Sequence, residues 1–340
     1  MPDTSFILPS DLKANYAAYR DELREAALRV LDSGWYIGGS EVEAFETAFA
    51  AFAETDHAVG VATGTDAIIL AIRACGIGPG DVVITVSHTA VATVAAVELA
   101  GATAALVDVD PDTFGMDPDA LAAACESLAD GHAGQLKAVL PVHIYGHPVD
   151  LSAIQGIVEE HNLILIEDCA QAHGARLKGQ RVGSFGALGT FSFYPTKNLG
   201  ALGDGGAIAT NDPELAAQVR LLKEYGWQER YVSHVAGMNS RLDPIQAAML
   251  AVKLQHLGDE NAKRREIAAR YTAALADTPL ILPACADNVE PVYHQYVVQH
   301  EQRDELQQFL RARNIGSLIH YPVPVHKQPA YEGRVELPAG

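Results

Sequence analysis

Lys197 stands just past an apolar, aromatic stretch, Phe191-Ser192-Phe193-Tyr194-Pro195-Thr196, in a segment crowded with small residues from Ser184 to Asn198. Most lysines keep a hydrated ammonium among polar neighbours, whereas one at the edge of buried aromatic surface loses its proton more readily and becomes a nucleophile. Lys197 is therefore the candidate reactive amine. Upstream, Leu163-Ile164-Leu165-Ile166 reads as a fully buried strand ending in Glu167-Asp168, and a carboxylate at the C-terminal end of a central strand sits where α/β sheets bind ligands. A lysine able to form a Schiff base, partnered by an acid that keeps a pyridine nitrogen protonated, is the protein's share of pyridoxal-phosphate chemistry. Lys197 and Asp168 are read as that catalytic pair.

The elements that must position them alternate along the chain. Leu12, Tyr16, Tyr19, Leu23, Ala26 and Val30 recur at helical spacing, and Ser40 with Glu43 predicts a capping box opening a second helix through Ala53. Apolar strand runs follow at His57–Val61, Val82–Val86, Thr103–Val107, Leu136–Val142 and Leu163–Glu167, separated by helical segments with Gly and Pro punctuation. That alternation implies an α/β sheet covered on both faces. After Asp243 the spacing predicts a long helical stretch broken at Gly258 and running through Ala276, a short strand near Tyr293–Val298 and a helix over Asp304–Arg313. The expected organisation is an N-terminal helical segment (1–35), a large cofactor-binding domain (36–245) and a small C-terminal domain (246–340).

Composition sets limits on partners. The chain has 340 residues, 49% of them hydrophobic and 20% charged, enough apolar material for a sizeable core. A formal net charge of −19 repels nucleic-acid phosphates and anionic membranes, so neither is an expected partner, and a phosphate-bearing ligand needs a local positive pocket. Cys75, Cys125, Cys169 and Cys285 are scattered and make no C-x-x-C pair, which indicates neither a zinc site nor a disulfide framework and suits a reducing cytoplasm. Met1–Ser5 has neither the basic start nor the apolar run of a secretion signal, and the Ala90–Val107 stretch is broken by Glu98 and Gly101, so no membrane span is expected. None of the histidines falls in an H-E-x-x-H arrangement, and no metal site is expected. The cluster Gly200–Gly206 follows the lysine loop and precedes a strand, which sets it apart from a dinucleotide fingerprint.

Ala62-Thr63-Gly64-Thr65-Asp66 follows one strand run and opens the helix predicted over Ala67–Cys75. Backbone N–H groups at a helix start bind phosphate, and glycine lets the ligand approach; the alternative is an ordinary strand-to-helix turn. Asn239-Ser240-Arg241-Leu242-Asp243-Pro244 can likewise be a helix start, with Asp243 as N-cap and Pro244 at N1.

Three motifs taken together, Glu167-Asp168-Cys169-Ala170-Gln171-Ala172-His173-Gly174, Ser192-Phe193-Tyr194-Pro195-Thr196-Lys197-Asn198 and Asn239-Ser240-Arg241-Leu242-Asp243, resemble the pyridoxal-phosphate sugar aminotransferases of the DegT/DnrJ/EryC1/StrS family. The resemblance covers nearly the whole chain and implies a fold-type I architecture, a large mixed, mostly parallel sheet domain with a smaller C-terminal α+β domain. Relatives usually continue some tens of residues past Pro338-Ala339-Gly340. By the same resemblance Gly64, Thr65 and Ser192 contact the cofactor phosphate, Gln171 the ring hydroxyl, and His88 stacks on the pyridine. Asn239 crosses the interface of a homodimer with shared active sites. Trp35, Tyr36, Arg241, His320, Tyr321 and His326 fall where relatives meet the sugar.

The implied reaction is transamination of a nucleotide-linked keto-deoxysugar in aminosugar biosynthesis, with glutamate as amino donor. Ser87-His88-Thr89 with His320-Tyr321-Pro322 favours a 3-keto over a 4-keto sugar. Two alternatives stand beside it. A related dehydratase branch replaces the lysine by histidine, against which Lys197 argues, and a regulator of the same fold would need no chemistry at all.

Overall fold

The computed structural model describes residues 6–129, 135–286 and 288–338. The readings made on Met1–Ser5 and on Ala339-Gly340 lie outside them. Its centre is a seven-stranded sheet of β1 (His57–Val61), β2 (Asp81–Val86), β3 (Thr103–Val107), β4 (Gln135–Val139), β5 (Ile164–Asp168), β6 (Leu188–Ser192) and β7 (Gly206–Thr210), in the order β1-β7-β6-β5-β4-β2-β3. The pairs β3/β2, β2/β4, β4/β5 and β5/β6 are parallel, and β7 runs antiparallel to both β6 and β1.

The connections explain that mixture. Parallel neighbours need a crossover. The helices between consecutive strands from β1 to β5 are α4 (Gly64–Ala74), α5 (Val91–Ala100), α6 (Pro118–Ala129) and α7 (Leu151–Glu160), which follow α1 (Leu12–Ala18), α2 (Arg20–Ser33) and α3 (Ser40–Ala53) in the chain, and β5 reaches its parallel neighbour β6 through a helix-free stretch. No helix joins β6 to β7, so the chain turns straight back, and Lys197 rides on that turn. Beyond it come α8 (Pro213–Leu222), α9 (Pro244–Leu275) and α10 (Arg303–Arg311).

Strand side chains alternate between two buried layers, as a sheet covered on both faces requires. Val83 joins Ile68, Leu70 and Ile72 of α4 and Val94 and Val97 of α5, while its neighbour Ile84 joins Leu121 of α6 and Ile154 of α7. A third cluster packs Phe45 and Phe49 of α3 against Phe191 and Phe193 around the lysine loop, with Ala247, Leu250 and Leu257 of α9. Among the described residues no helix is long and apolar enough to cross a membrane.

Several local expectations are corrected. The first predicted helix divides at Tyr19, whose hydroxyl donates to Glu260 Oε1 at 2.6 Å and whose ring stacks on His256, both on α9. That long-range anchoring holds Tyr19 at φ −124°, outside helical geometry. Ser40 is the first residue of α3 and its side chain does not cap; Gly39, at φ 83°, is the N-cap. α4 starts three residues early, at Gly64, with Thr63 as N-cap. The β4 ladder stops at Val139 rather than Val142, since Pro141 has no N–H to pair.

Gly258 does not break α9, which runs unbroken for 32 residues. One interior glycine costs about 1 kcal/mol, less than the burial of Leu250 and Leu257 before it and Ala268 beyond it returns. No strand forms over Tyr293–Val298. That segment lies over the Tyr145-Gly146 turn, with Val292 N donating to Gly146 O at 2.9 Å and Gln295 N to Tyr145 O at 3.3 Å.

Candidate active site

Asp168 ends β5 inside the sheet, and its carboxylate is buried. Oδ2 accepts from Thr93 Oγ1 of α5 at 2.9 Å and Oδ1 from Ala170 N at 3.1 Å, and Thr89 Oγ1 lies 2.9 Å behind Thr93 Oγ1. Burial raises its pKa, and these donors together with the charge of Lys197 pull it back. Lys197 is the mirror case. Burial pushes its ammonium pKa down to about 8, and the facing Asp168 opposes the shift. Each group thus biases the proton of the other, in the pairing expected from the sequence.

The lysine loop is anchored from α9. Lys253 Nζ donates to Gly200 O at 2.7 Å, and Asn198 Nδ2 donates to Asn261 Oδ1 at 2.9 Å and to Val292 O at 3.0 Å.

Gly64 and Thr65 form the first turn of α4. The first N–H groups of a helix have no intrahelical acceptor and carry the positive end of the dipole. Thr63 Oγ1 caps Asp66 N at 3.0 Å, and Ser240 Oγ donates to Asp66 Oδ2 at 2.7 Å while accepting from Ala62 N at 3.0 Å, so the turn is held from two sides. Ser192 packs so closely that a Cβ on Gly64 would come within 2.5 Å of its Cβ and 3.0 Å of its Oγ. This is a cradle that a side chain would fill.

A rim of polar rings closes the space between. Gln171 Oε1 accepts from Tyr145 N at 2.6 Å and its Nε2 donates to Tyr321 OH at 3.0 Å. His88 Nε2 lies 2.6 Å from Tyr145 OH, and its ring meets those of Phe114 and Tyr321. The Tyr145 hydroxyl donates to His320 O at 2.5 Å, and His326 Nδ1 lies 2.8 Å from Ser87 Oγ. Burial and Lys197 lower the pKa of His320.

Of the expected residues, Lys197, Asp168, Gly64, Thr65, Ser192, His88, Gln171, His320, Tyr321 and His326 belong to this connected region. Four do not join it within one chain. Trp35 and Tyr36 are 64% and 54% exposed on the α2–α3 loop, Asn239 is exposed, and Arg241 pairs with Glu224 at 3.1 Å. The sequence reading missed Thr93, Tyr145, Lys253 and Asn261. All four act across long sequence separations, and none lies in a motif.

His143, Glu167 and Cys169 also cluster, fully buried. Their bonding capacity is largely used within the fold: Glu167 accepts from Gly183 N, Phe185 N and Gly186 N at 2.7–2.8 Å and pairs with His143 Nε2 at 3.1 Å, while His143 Nδ1 accepts from Val149 N. The pair ties β5 to the loop before β6 on the face opposite Asp168.

The donor set fits a phosphorylated pyridine aldehyde: a helix N-terminus and a hydroxyl for phosphate, a buried carboxylate for a ring nitrogen, and an amine of lowered pKa for the aldehyde. The model of the DegT/DnrJ/EryC1/StrS aminotransferase family matches residues 18–340. A Streptomyces venezuelae protein, dTDP-3-amino-3,4,6-trideoxy-alpha-D-glucose transaminase, is 49% identical over 324 residues, covering 95% of this chain and 84% of its own. An Aneurinibacillus thermoaerophilus protein, dTDP-3-amino-3,6-dideoxy-alpha-D-galactopyranose transaminase, is 46% identical over 321 residues, covering 94% and 86%. The crystal structure of S. venezuelae DesV in complex with a ketimine intermediate superposes with a TM-score of 0.93 at 48% identity, covering 97% of this chain and 88% of that one. The chain therefore belongs to the DegT/DnrJ/EryC1/StrS family and is a pyridoxal-phosphate-dependent aminotransferase acting in sugar metabolism.

Proposed function

We propose that this enzyme moves the amino group of glutamate onto the 3-keto carbon of a nucleotide-linked deoxysugar, for aminosugar biosynthesis. The observation that carries the sugar reading is the return of Tyr321 to Gln171, at 3.0 Å, which brings the 320–326 segment over the lysine pocket. The 3-amino products in the names of the two relatives support the carbon position.

In this reading Gly64, Thr65 and Ser192 hold the phosphate of pyridoxal phosphate, Gln171 and His88 meet its ring, Asp168 faces the ring nitrogen and Lys197 takes the aldehyde. When bound, the cofactor supplies a sink for the electrons released as the substrate carbon loses its proton. Asp168 acts electrostatically, its negative charge favouring a protonated ring nitrogen. Lys197 Nζ, its pKa lowered by burial to about 8, would serve as the base that takes up and returns the proton of the substrate carbon. The rings of His88, Tyr145 and Tyr321 exclude water from that transfer.

The exposed Trp35, Tyr36 and Asn239, with Arg241, are proposed to complete the site of a second copy in a homodimer. A large unit (36–245), an N-terminal helical segment (1–35) and a smaller C-terminal unit (246–340), working in a reducing cytoplasm, complete the proposal. The testing experiment loads the enzyme with glutamate and offers nucleotide-linked 3-keto and 4-keto deoxysugars, with mass spectrometry of the products. Amination of the 4-keto set alone overturns the position, and amination of neither overturns the sugar. Borohydride should fix the cofactor to a peptide containing Lys197, and Asp168→Asn should slow turnover by about two orders of magnitude or more.

A further inference from the structure

Tyr145 joins three groups of the rim at once. Its backbone N–H donates to Gln171 Oε1 at 2.6 Å, its hydroxyl donates to His320 O at 2.5 Å, and the same hydroxyl lies 2.6 Å from His88 Nε2. The residue is buried and holds φ 59°, a left-handed conformation that a bulky side chain adopts only when its surroundings impose it. Those surroundings are visible. Gln295 N donates to Tyr145 O and Val292 N to Gly146 O, pinning the turn from the far segment.

A phenol has a single proton. A backbone carbonyl can only accept, so that proton belongs to His320 O, and the contact with His88 requires the imidazole to donate. Burial raises the Tyr145 pKa, which keeps the phenol protonated, and lowers that of His88, which keeps the ring neutral. The neutral ring therefore carries its hydrogen on Nε2. Flipping it would leave both the phenol oxygen and His88 without partners in a partly buried site.

We propose that Tyr145 is a positioning residue that locks His88 as its Nε2–H tautomer and keeps that ring in register with Gln171 and the His320-Tyr321 segment. This rests on the reading of His88 as the face against the cofactor ring. Any shift of His320-Tyr321 when substrate enters is transmitted through one hydroxyl to His88.

The test is nitrogen NMR of holoenzyme labelled with 15N-histidine, with His88→Gln to assign the signal, followed by the Tyr145→Phe variant and a double-variant cycle. The expected spectrum of the unmodified enzyme shows His88 as a neutral Nε2–H ring. Tyr145→Phe should lose that fixed signal and slow the single-turnover reaction with L-glutamate by about 10²-fold, the cost of a misplaced catalytic surface. In a His88→Phe background the same change should cost less than about twofold, since the residue it acts through is gone. An Nδ1–H tautomer for His88, or losses that multiply independently in the double variant, overturns the proposal. Should Tyr145→Phe fail to fold, the tautomer in the unmodified enzyme decides alone. It is read without any sugar present, so a wrong sugar assignment leaves this result untouched.

Discussion

Thr93, in the first turn of α5, donates from Oγ1 to Asp168 Oδ2 across 2.9 Å inside the core. The acid that ends β5 is therefore held by a hydroxyl from a helix 75 residues upstream. That bond favours the ionised carboxylate, against a burial that raises its pKa.

Thr93→Val should raise the pKa of Asp168 further and slow transamination by about tenfold, because a hydrogen bond to a charged group contributes about 1.5–3 kcal/mol. Thr93→Ser should restore the rate. Single-turnover absorbance with glutamate reads both, and equal rates in the valine and serine variants would remove the hydroxyl from this role.

Lys197 must be unprotonated to capture an aldehyde, and its pKa of about 8 lies below the 10.5 of an ordinary lysine. Capture of pyridoxal phosphate by apoenzyme should accelerate about tenfold between pH 7 and 9, then level off. Because Asp168 holds the lysine pKa up, Asp168→Asn should move the midpoint to lower pH. For stability the sign follows from proton binding. The unfolded chain holds more protons between about 8 and 10.5, so the apoenzyme should gain stability from this group as pH rises through that window, and Lys197→Met should abolish that gain. Stopped-flow capture and urea unfolding measure the two effects.

Gly64→Ala places a Cβ within 2.5 Å of Ser192 Cβ. Overpacking of this kind costs about 1–3 kcal/mol and would disturb the turn proposed to hold the phosphate. Cofactor affinity, followed by absorbance titration, should fall by about tenfold or more, while circular dichroism of the apoenzyme stays native. An unchanged affinity would place the phosphate elsewhere.

Glu46 is buried between α3, β1 and α8, accepting from Gly60 N at 2.7 Å and pairing with Arg220 at 2.8 Å and Lys223 at 3.6 Å. Lys223 and Arg220 also donate to Gly60 O and Ala58 O, so side chains satisfy the open edge of β1. Glu46→Ala should destabilise the protein by about 3–5 kcal/mol, since it strands the buried Lys223. Denaturant unfolding checks this, and a loss under about 1 kcal/mol would mean that water replaces the carboxylate.

The facing of Asp168 and Lys197 was legible because its signals are local: an unbroken apolar strand before Asp168 and an aromatic run before Lys197. Each is the shadow of burial on a short stretch of chain. Five of the sheet's seven strands, β1 to β5, were readable for the same reason, their apolar periods lying within a few residues. Two of the misread elements depended on distant partners. Tyr19 leaves its helix to reach Glu260, and Tyr293–Val298 lies on the Tyr145 turn instead of forming a strand.

Residue types and short-range spacing thus determined the α/β alternation, the amine, the acid and the helix start that suits a phosphate. Only the tertiary structure decided that Thr93 would brace Asp168, that Lys253 and Asn261 would anchor the lysine loop, and that Tyr145 would tie His88 to His320. Periodicity encodes which face of a segment is buried; it carries no record of which distant hydroxyl or amide completes a buried polar group, and that choice is made by packing.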